Sequence, residues 1–110
     1  MSEIKRQPKP NILYEENREK FNALVAEGKI PDLRNQNMSD LDLRGFNLSR
    51  ADLSGGYLRG ANLSGQDLSE SNLSGVSLRN ANVSGCLFPK DLPIEEIRMS
   101  LDFGTRIRHR

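Results

Sequence analysis

Every fifth residue from Met38 to Phe88 is a leucine or a residue able to stand in for one. The series is Met38, Leu43, Leu48, Leu53, Leu58, Leu63, Leu68, Leu73, Leu78, Val83 and Phe88. Asn or Asp precedes most of them (Asn37, Asp42, Asn47, Asp52, Asn62, Asp67, Asn72, Asn82), and Ser or Arg mostly follows. A helix would smear this series around its surface in steps of about 140°. A strand would send successive members to opposite faces. One arrangement serves them all: a backbone that turns a corner every five residues and points each leucine at a common axis. Four such steps close a square coil of twenty residues, whose edges hydrogen-bond to the coils above and below as in a β-solenoid. Gly45, Gly55, Gly60, Gly65, Gly75 and Gly85 fall at the corners, where small residues ease tight turns.

This architecture suits the composition. Apolar residues make up 35% and aromatics 5% of 110 residues, thin for an ordinary globular core but sufficient where each layer buries its side chains on the next. The length predicts one domain. Sixteen basic against fifteen acidic residues give a net charge of +1, so no global field points to nucleic acid or membrane. No apolar run nears the ~20 residues a bilayer span needs. The opening MSEIKRQPKP lacks a signal peptide's apolar segment, and a single cysteine, Cys86, excludes an internal disulfide framework; both read as a cytoplasmic chain.

Around the repeats the chain divides into an N-terminal arm (1–13), a capping helix with its lead-in (14–35), the repeat region (36–88), a second capping helix (89–104) and a basic tail (105–110). Phe21, Leu24 and Val25 form an apolar stripe on a helix from about Tyr14 to Glu27, with Gly28 as its stop. After Phe88 the period breaks at Pro89. Pro93 suits a helix start, Glu95 and Glu96 favour its N-terminal end, and Gly104 ends it. Such helices cover the open first and last coils, which otherwise expose unpaired edges. The tail reads as mobile.

The stretch 36–88 resembles the pentapeptide-repeat family, whose motif A(D/N)LXX is matched by ADLSG, ANLSG and ANVSG here. The resemblance implies an all-β solenoid, a right-handed quadrilateral β-helix, with the central Leu and the residue two before it pointing inward. At twenty residues per coil this region makes fewer than three coils. The second inward column reads Leu41, Phe46, Ala51, Gly56, Ala61, Gln66, Ser71, Val76, Ala81 and Cys86. Phe46 and Gln66 are larger than the small residues expected there and stack twenty apart, so that corner is expected to bulge.

Little in the chain supports catalysis, and the expectation is that it is not an enzyme and needs no cofactor or metal. The lone histidine, His109, lies in the tail, so no oriented nucleophile–base pair is available. Cys86 and His109 are too few for a metal site. Asp42 and Asp52 read as corner residues bonding backbone, and no glycine-rich phosphate loop occurs. The Asn-X-Ser triplets are by-products of the repeat. Sorted by coil, Arg59 and Arg79 stack on one face beside Tyr57, a composition typical of interface anchors; Arg50 and Glu70 stack on another.

Three functional readings follow. The first is a non-enzymatic protein-binding or scaffold module: a short rod with regular surface and no cleft, taking an unknown protein partner at Tyr57, Arg59 and Arg79. It includes self-association into a homodimer through Ile94, Ile97 and Leu101, with Met99. The second comes from the resemblance: some members of the family are DNA mimics that bind DNA gyrase or topoisomerase. That reading is weakened by a rod on the order of 13 Å long and by repeats carrying five acids against four arginines. The third is nucleic-acid contact through Arg106, Arg108, His109 and Arg110. Membrane and small-molecule partners are not expected.

Overall fold

Backbone bonding in the computed structural model, which describes residues 17–109, repeats with a period of twenty. Parallel bridges join Asp32 to Asp52, Asn37 to Tyr57, Asp42 to Asn62, Asp52 to Asn72, Tyr57 to Ser77, Asn62 to Asn82 and Asp67 to Leu87. These are isolated bridges, because the chain turns after every pair. A core residue donates its N–H to the next layer, as Leu53 to Asn72 O and Leu58 to Ser77 O (3.0 and 2.9 Å). Two residues earlier a carbonyl accepts in return, as Gly56 O from Ser77 N (3.1 Å).

Within each corner the bonding is local. The core residue's carbonyl accepts the N–H three residues on, as Leu53 O from Gly56 N (3.0 Å), and Gly55 between them has φ +71°. That is the backbone of a turn with a left-handed third residue. Asn35, Asp40 and Asn80 take the same role with φ near +60°, a conformation short polar side chains tolerate.

The inward residues form one continuous core. Met38 and the leucines from Leu43 to Leu78 are fully buried, as are Ala51, Ala61 and Val76. The polar members of the second column keep a common arrangement. Ser71 Oγ donates to Leu48 O (2.7 Å), Gln66 Nε2 to Leu43 O (2.8 Å) and Cys86 Sγ to Leu63 O (3.0 Å). Each thus bonds a corner carbonyl twenty-three residues back, which is why a polar side chain is tolerated inside.

The expected disturbance at Phe46 and Gln66 is present, and its bonds are accounted for. No bridge joins Asn47 to Asp67 among the described residues. Gln66 Nε2 instead donates to Phe46 O (2.9 Å), and Asn22 Oδ1 accepts from Asn47 N (2.7 Å) while Asn22 Nδ2 donates to Gly45 O (2.8 Å). Asn22 lies on α1 (Arg18–Ala26). Phe21 on the same helix meets Phe46 edge to face at 5.4 Å. The helix ends as its Gly28 predicts: Gly28 N donates to Val25 O (2.9 Å) and Lys29 N to Leu24 O (3.2 Å), a Schellman arrangement. The expected arm 1–13 and the helix start near Tyr14 lie outside the described residues.

At the other end, α2 (Ile94–Phe103) has Glu95 and Glu96 in its first turn and ends at Gly104 with φ +75°. Ile97 and Leu101 are half-buried against the core. The helix also supplies polar partners to the last coil. The buried Ser100 Oγ accepts from Leu78 N (2.8 Å) and Leu101 O from Asn80 N (3.1 Å). The tail, expected to be mobile, follows the same edge. Ile107 is 2% exposed, accepts from Gly75 N (2.7 Å) and donates to Val76 O (2.9 Å). An isoleucine within the basic run makes the difference, since it anchors the segment through apolar burial while its backbone completes the coil edge.

Candidate functional site

Tyr57, Arg59 and Arg79, singled out from the coil register, lie together on one side of the rod. The register explains this. Asn37, Tyr57 and Ser77 form one bridged column, and Ser39, Arg59 and Arg79 stand two residues on. These six border an open hollow of about 1010 Å³, which Asn35 and Gly55 extend and which Phe103, Gly104 and Arg106 wall on the far side. The expectation of a regular surface with no cleft does not hold on this side: the end of α2 and the start of the tail rise beside the face and make one.

The hollow is cationic. Arg59, Arg79 and Arg106 line it, and no Asp or Glu does. Arg106 Nη1 donates to Gly75 O (2.6 Å), which holds its guanidinium 4.6 Å from the Tyr57 ring centroid, within the range of a cation–π contact. Arg59 and Arg79 make no ion pair among the described residues. Tyr57 is 45% and Phe103 64% exposed.

The sequence separated these groups. In sequence Arg106 belongs with the basic tail and Phe103 with α2, and their approach to Tyr57 spans more than forty residues. The only signal available was that Phe103 and Arg106 flank Gly104, a stop that turns the chain back toward the rod.

The other basic residues of the tail are engaged elsewhere. Arg108 pairs with Glu96 at 2.9 Å, which holds the Glu96 carboxyl below its ordinary range. His109 Nε2 lies 3.0 Å from Asp91 Oδ1, and that hydrogen bond lowers Asp91. Cys86 is raised by burial. Asp42 and Asp52 bond backbone: their Oδ1 atoms accept from Arg44 N (3.2 Å) and Ser54 N (3.1 Å). Arg50 and Glu70 approach to 3.9 Å across one coil.

Of the α2 residues considered for self-association, Ile94 is 65% exposed, whereas Ile97 and Leu101 pack on the core. Met99 and Phe103, one helical turn apart, are exposed as well. Among the described residues no helix is long and apolar enough to cross a membrane, and no three His, Cys, Asp or Glu residues gather as a metal site would require.

A family described as pentapeptide repeats matches residues 32–65 and 57–88, in eight copies. None of the curated proteins matches the chain significantly. Among solved structures, a pentapeptide repeat protein from Nostoc Pcc 7120 is 36% identical over 62% of this chain, with a TM-score of 0.44. The matched region spans 60% of that protein's length.

Proposed function

The chain belongs to the pentapeptide-repeat family, which implies a right-handed quadrilateral β-helix, and on that premise we propose that it is a non-enzymatic protein-binding or scaffold module. The rod is short, with fewer than three coils between Asp32 and Leu87, and carries a capping helix at each end. Its binding face is the side bearing Tyr57, Arg59 and Arg79.

The observation that carries this reading is the hollow on that side. Arginines without an acidic partner and exposed aromatic rings meet there on a rigid backbone, the residue types that dominate interface energetics. A rigid site also loses little conformational freedom on binding. Self-association is a subsidiary reading, supported by the exposed Ile94, Met99 and Phe103 on α2.

The other two readings gain less. The repeat faces are close to neutral and the rod is short, which speaks against a DNA mimic. A free basic tail is not what the chain offers to nucleic acid, since Arg106 stacks on Tyr57 and Arg108 pairs with Glu96.

Affinity capture from native lysate with the wild-type chain and an Arg59→Ala/Arg79→Ala variant tests the proposal. A partner retained by the first and lost by the second is the expected result. A partner held equally by both, or no specific partner, would overturn it.

A further inference from the structure

Nine corners of the repeat share one device. The Asn or Asp before the core residue turns its side-chain oxygen onto the N–H two residues on, at 3.0–3.2 Å. Where the second residue is arginine, the device becomes a three-donor carboxylate site. Asp32 accepts from Arg34 N, Nε and Nη2 (3.2, 2.8 and 2.9 Å). Asp42 does the same with Arg44 (3.2, 2.9 and 2.8 Å).

Two further corners have the arginine without the acid. In Tyr57–Leu58–Arg59 and Ser77–Leu78–Arg79 the position before the leucine carries no carboxylate. Neither the main-chain N–H nor the guanidinium of Arg59 or Arg79 meets a protein acceptor among the described residues. Both corners border the same hollow, one coil apart. We propose that Arg59 and Arg79, each with its own N–H, form paired sites for carboxylates supplied from outside, so that the hollow takes a short acidic segment of a partner protein.

The internal pairs at Arg34 and Arg44 display the geometry such a carboxylate would adopt, with two guanidinium donors and one amide converging on it. Tyr57 and Phe103 leave aromatic surface beside the arginines for an apolar residue of the same segment. A long polyanion fits less well. Nucleic acid gains affinity with the number of phosphates neutralised, and the hollow offers three cationic side chains, Arg59, Arg79 and Arg106, while Arg34 and Arg44 on the neighbouring faces are already paired with Asp32 and Asp42. The nearest acids in sequence, Asp40 and Asp102, do not line it. This inference rests on the preceding reading of the face as the binding surface and specifies the chemistry of the partner.

Fluorescence anisotropy with a labelled short polyglutamate peptide at low salt tests it, with polyglutamine and oligothymidylate as the contrasting probes. Polyglutamate is expected to bind and polyglutamine not. Ser77→Asp places the repeat's own residue before Arg79 and satisfies that site from within. It should weaken polyglutamate roughly tenfold, as should Arg59→Ala/Arg79→Ala, while Arg98→Ala, on exposed α2 surface, leaves it unchanged. Ser77→Asp follows the motif but gives up the Ser77 Oγ hydrogen bond to Gly104 O (3.1 Å). Its circular dichroism and urea midpoint, compared with those of Ser77→Ala, which loses the same bond and should keep polyglutamate affinity, therefore separate lost binding from lost fold. Oligothymidylate binding more tightly than polyglutamate, polyglutamine binding as well, or Ser77→Asp binding at full affinity would overturn the inference. Partner capture that depends on Arg59 and Arg79 while polyglutamate fails would sink the acidic-segment inference and leave the binding-face reading standing. Capture indifferent to those arginines would sink the binding-face reading itself.

Discussion

Gln66 offers the sharpest test of how this rod accommodates an oversized residue. By the family pattern a small residue belongs at this inward position, so sequence reasoning alone would make Gln66→Ala harmless. The structure argues otherwise. Phe46 occupies the same corner one coil below, no bridge joins Asn47 to Asp67, and the Gln66 amide donates to Leu43 O and Phe46 O at 2.8 and 2.9 Å from a site only 8% exposed. Leu43 O keeps a second donor, Phe46 N at 3.2 Å; Phe46 O accepts from Gln66 alone among the described residues. Gln66→Leu keeps the volume and removes both bonds. It costs one ordinary hydrogen bond of about 1 kcal/mol and one orphaned carbonyl of about 1–3 kcal/mol, together about 2–4 kcal/mol. At about 4 °C per kcal/mol for a chain of this size, Tm falls by roughly 8–16 °C. Urea unfolding followed by circular dichroism measures the loss directly. The double variant Phe46→Ala/Gln66→Ala restores two small residues, letting the main-chain bond between coils close. Its destabilisation should therefore fall short of the sum of the single losses by about 1 kcal/mol or more. A Gln66→Leu chain within about 0.5 kcal/mol of wild type, or strictly additive single losses, would refute the account.

Three further outcomes are expected. Gly55 and Gly65 have φ +71° and +77°, and the Asn35 oxygen that a Cβ at Gly55 would meet ends an exposed side chain able to turn away; Gly55→Ala and Gly65→Ala should each cost about 1 kcal/mol by the same urea assay, and no loss at either would contradict the left-handed corner described. The hydrogen bonds from Arg44, side chain first and then backbone, lower Asp42 from 3.8 to about 2. A lowered folded-state value means that its contribution is full above the ordinary carboxylate value and fades as pH falls toward 2; the gap in urea midpoint between wild type and Asp42→Asn should thus shrink between pH 5 and pH 2, and a constant gap would refute the assignment. Deleting residues 105–110 removes the buried Ile107, frees Gly75 N and leaves Val76 O only the long bond from Ser100 Oγ (3.5 Å), so stability should fall by about 2 kcal/mol or more; an unchanged urea midpoint would mean that the tail contributes nothing to the coil edge.

Much of the fold is legible because each repeat encodes its own geometry. The oxygen of Asn or Asp reaches the N–H two residues on, and the core residue's carbonyl reaches the N–H three residues on. Such contacts are written into any window of five residues. The period then assigns Leu53 to the inside and Tyr57 to the outside with no knowledge of the whole. The face carrying Tyr57, Arg59 and Arg79 is legible in the same way, since twenty-residue stacking follows from the period.

What lies outside the period resisted reading. In the run TRIRHR the charges suggest a free tail, yet Ile107 anchors it to Val76 and Gly75, some thirty residues away. Ile97 and Leu101 look from the sequence like surplus apolar surface, and the folded chain uses both against its core.

The sequence by itself determined the corner, the inward leucines and the stacking of like positions, because those depend on bonds a few residues long and on a strict period. The tertiary structure alone decided that Gln66 would stand in for the missing bridge beside Phe46, that the tail would complete a coil edge, and that Arg106 and Phe103 would turn a flat face into a cationic hollow. Those outcomes depend on where two distant segments come to rest, and the repeat period encodes no preference about that.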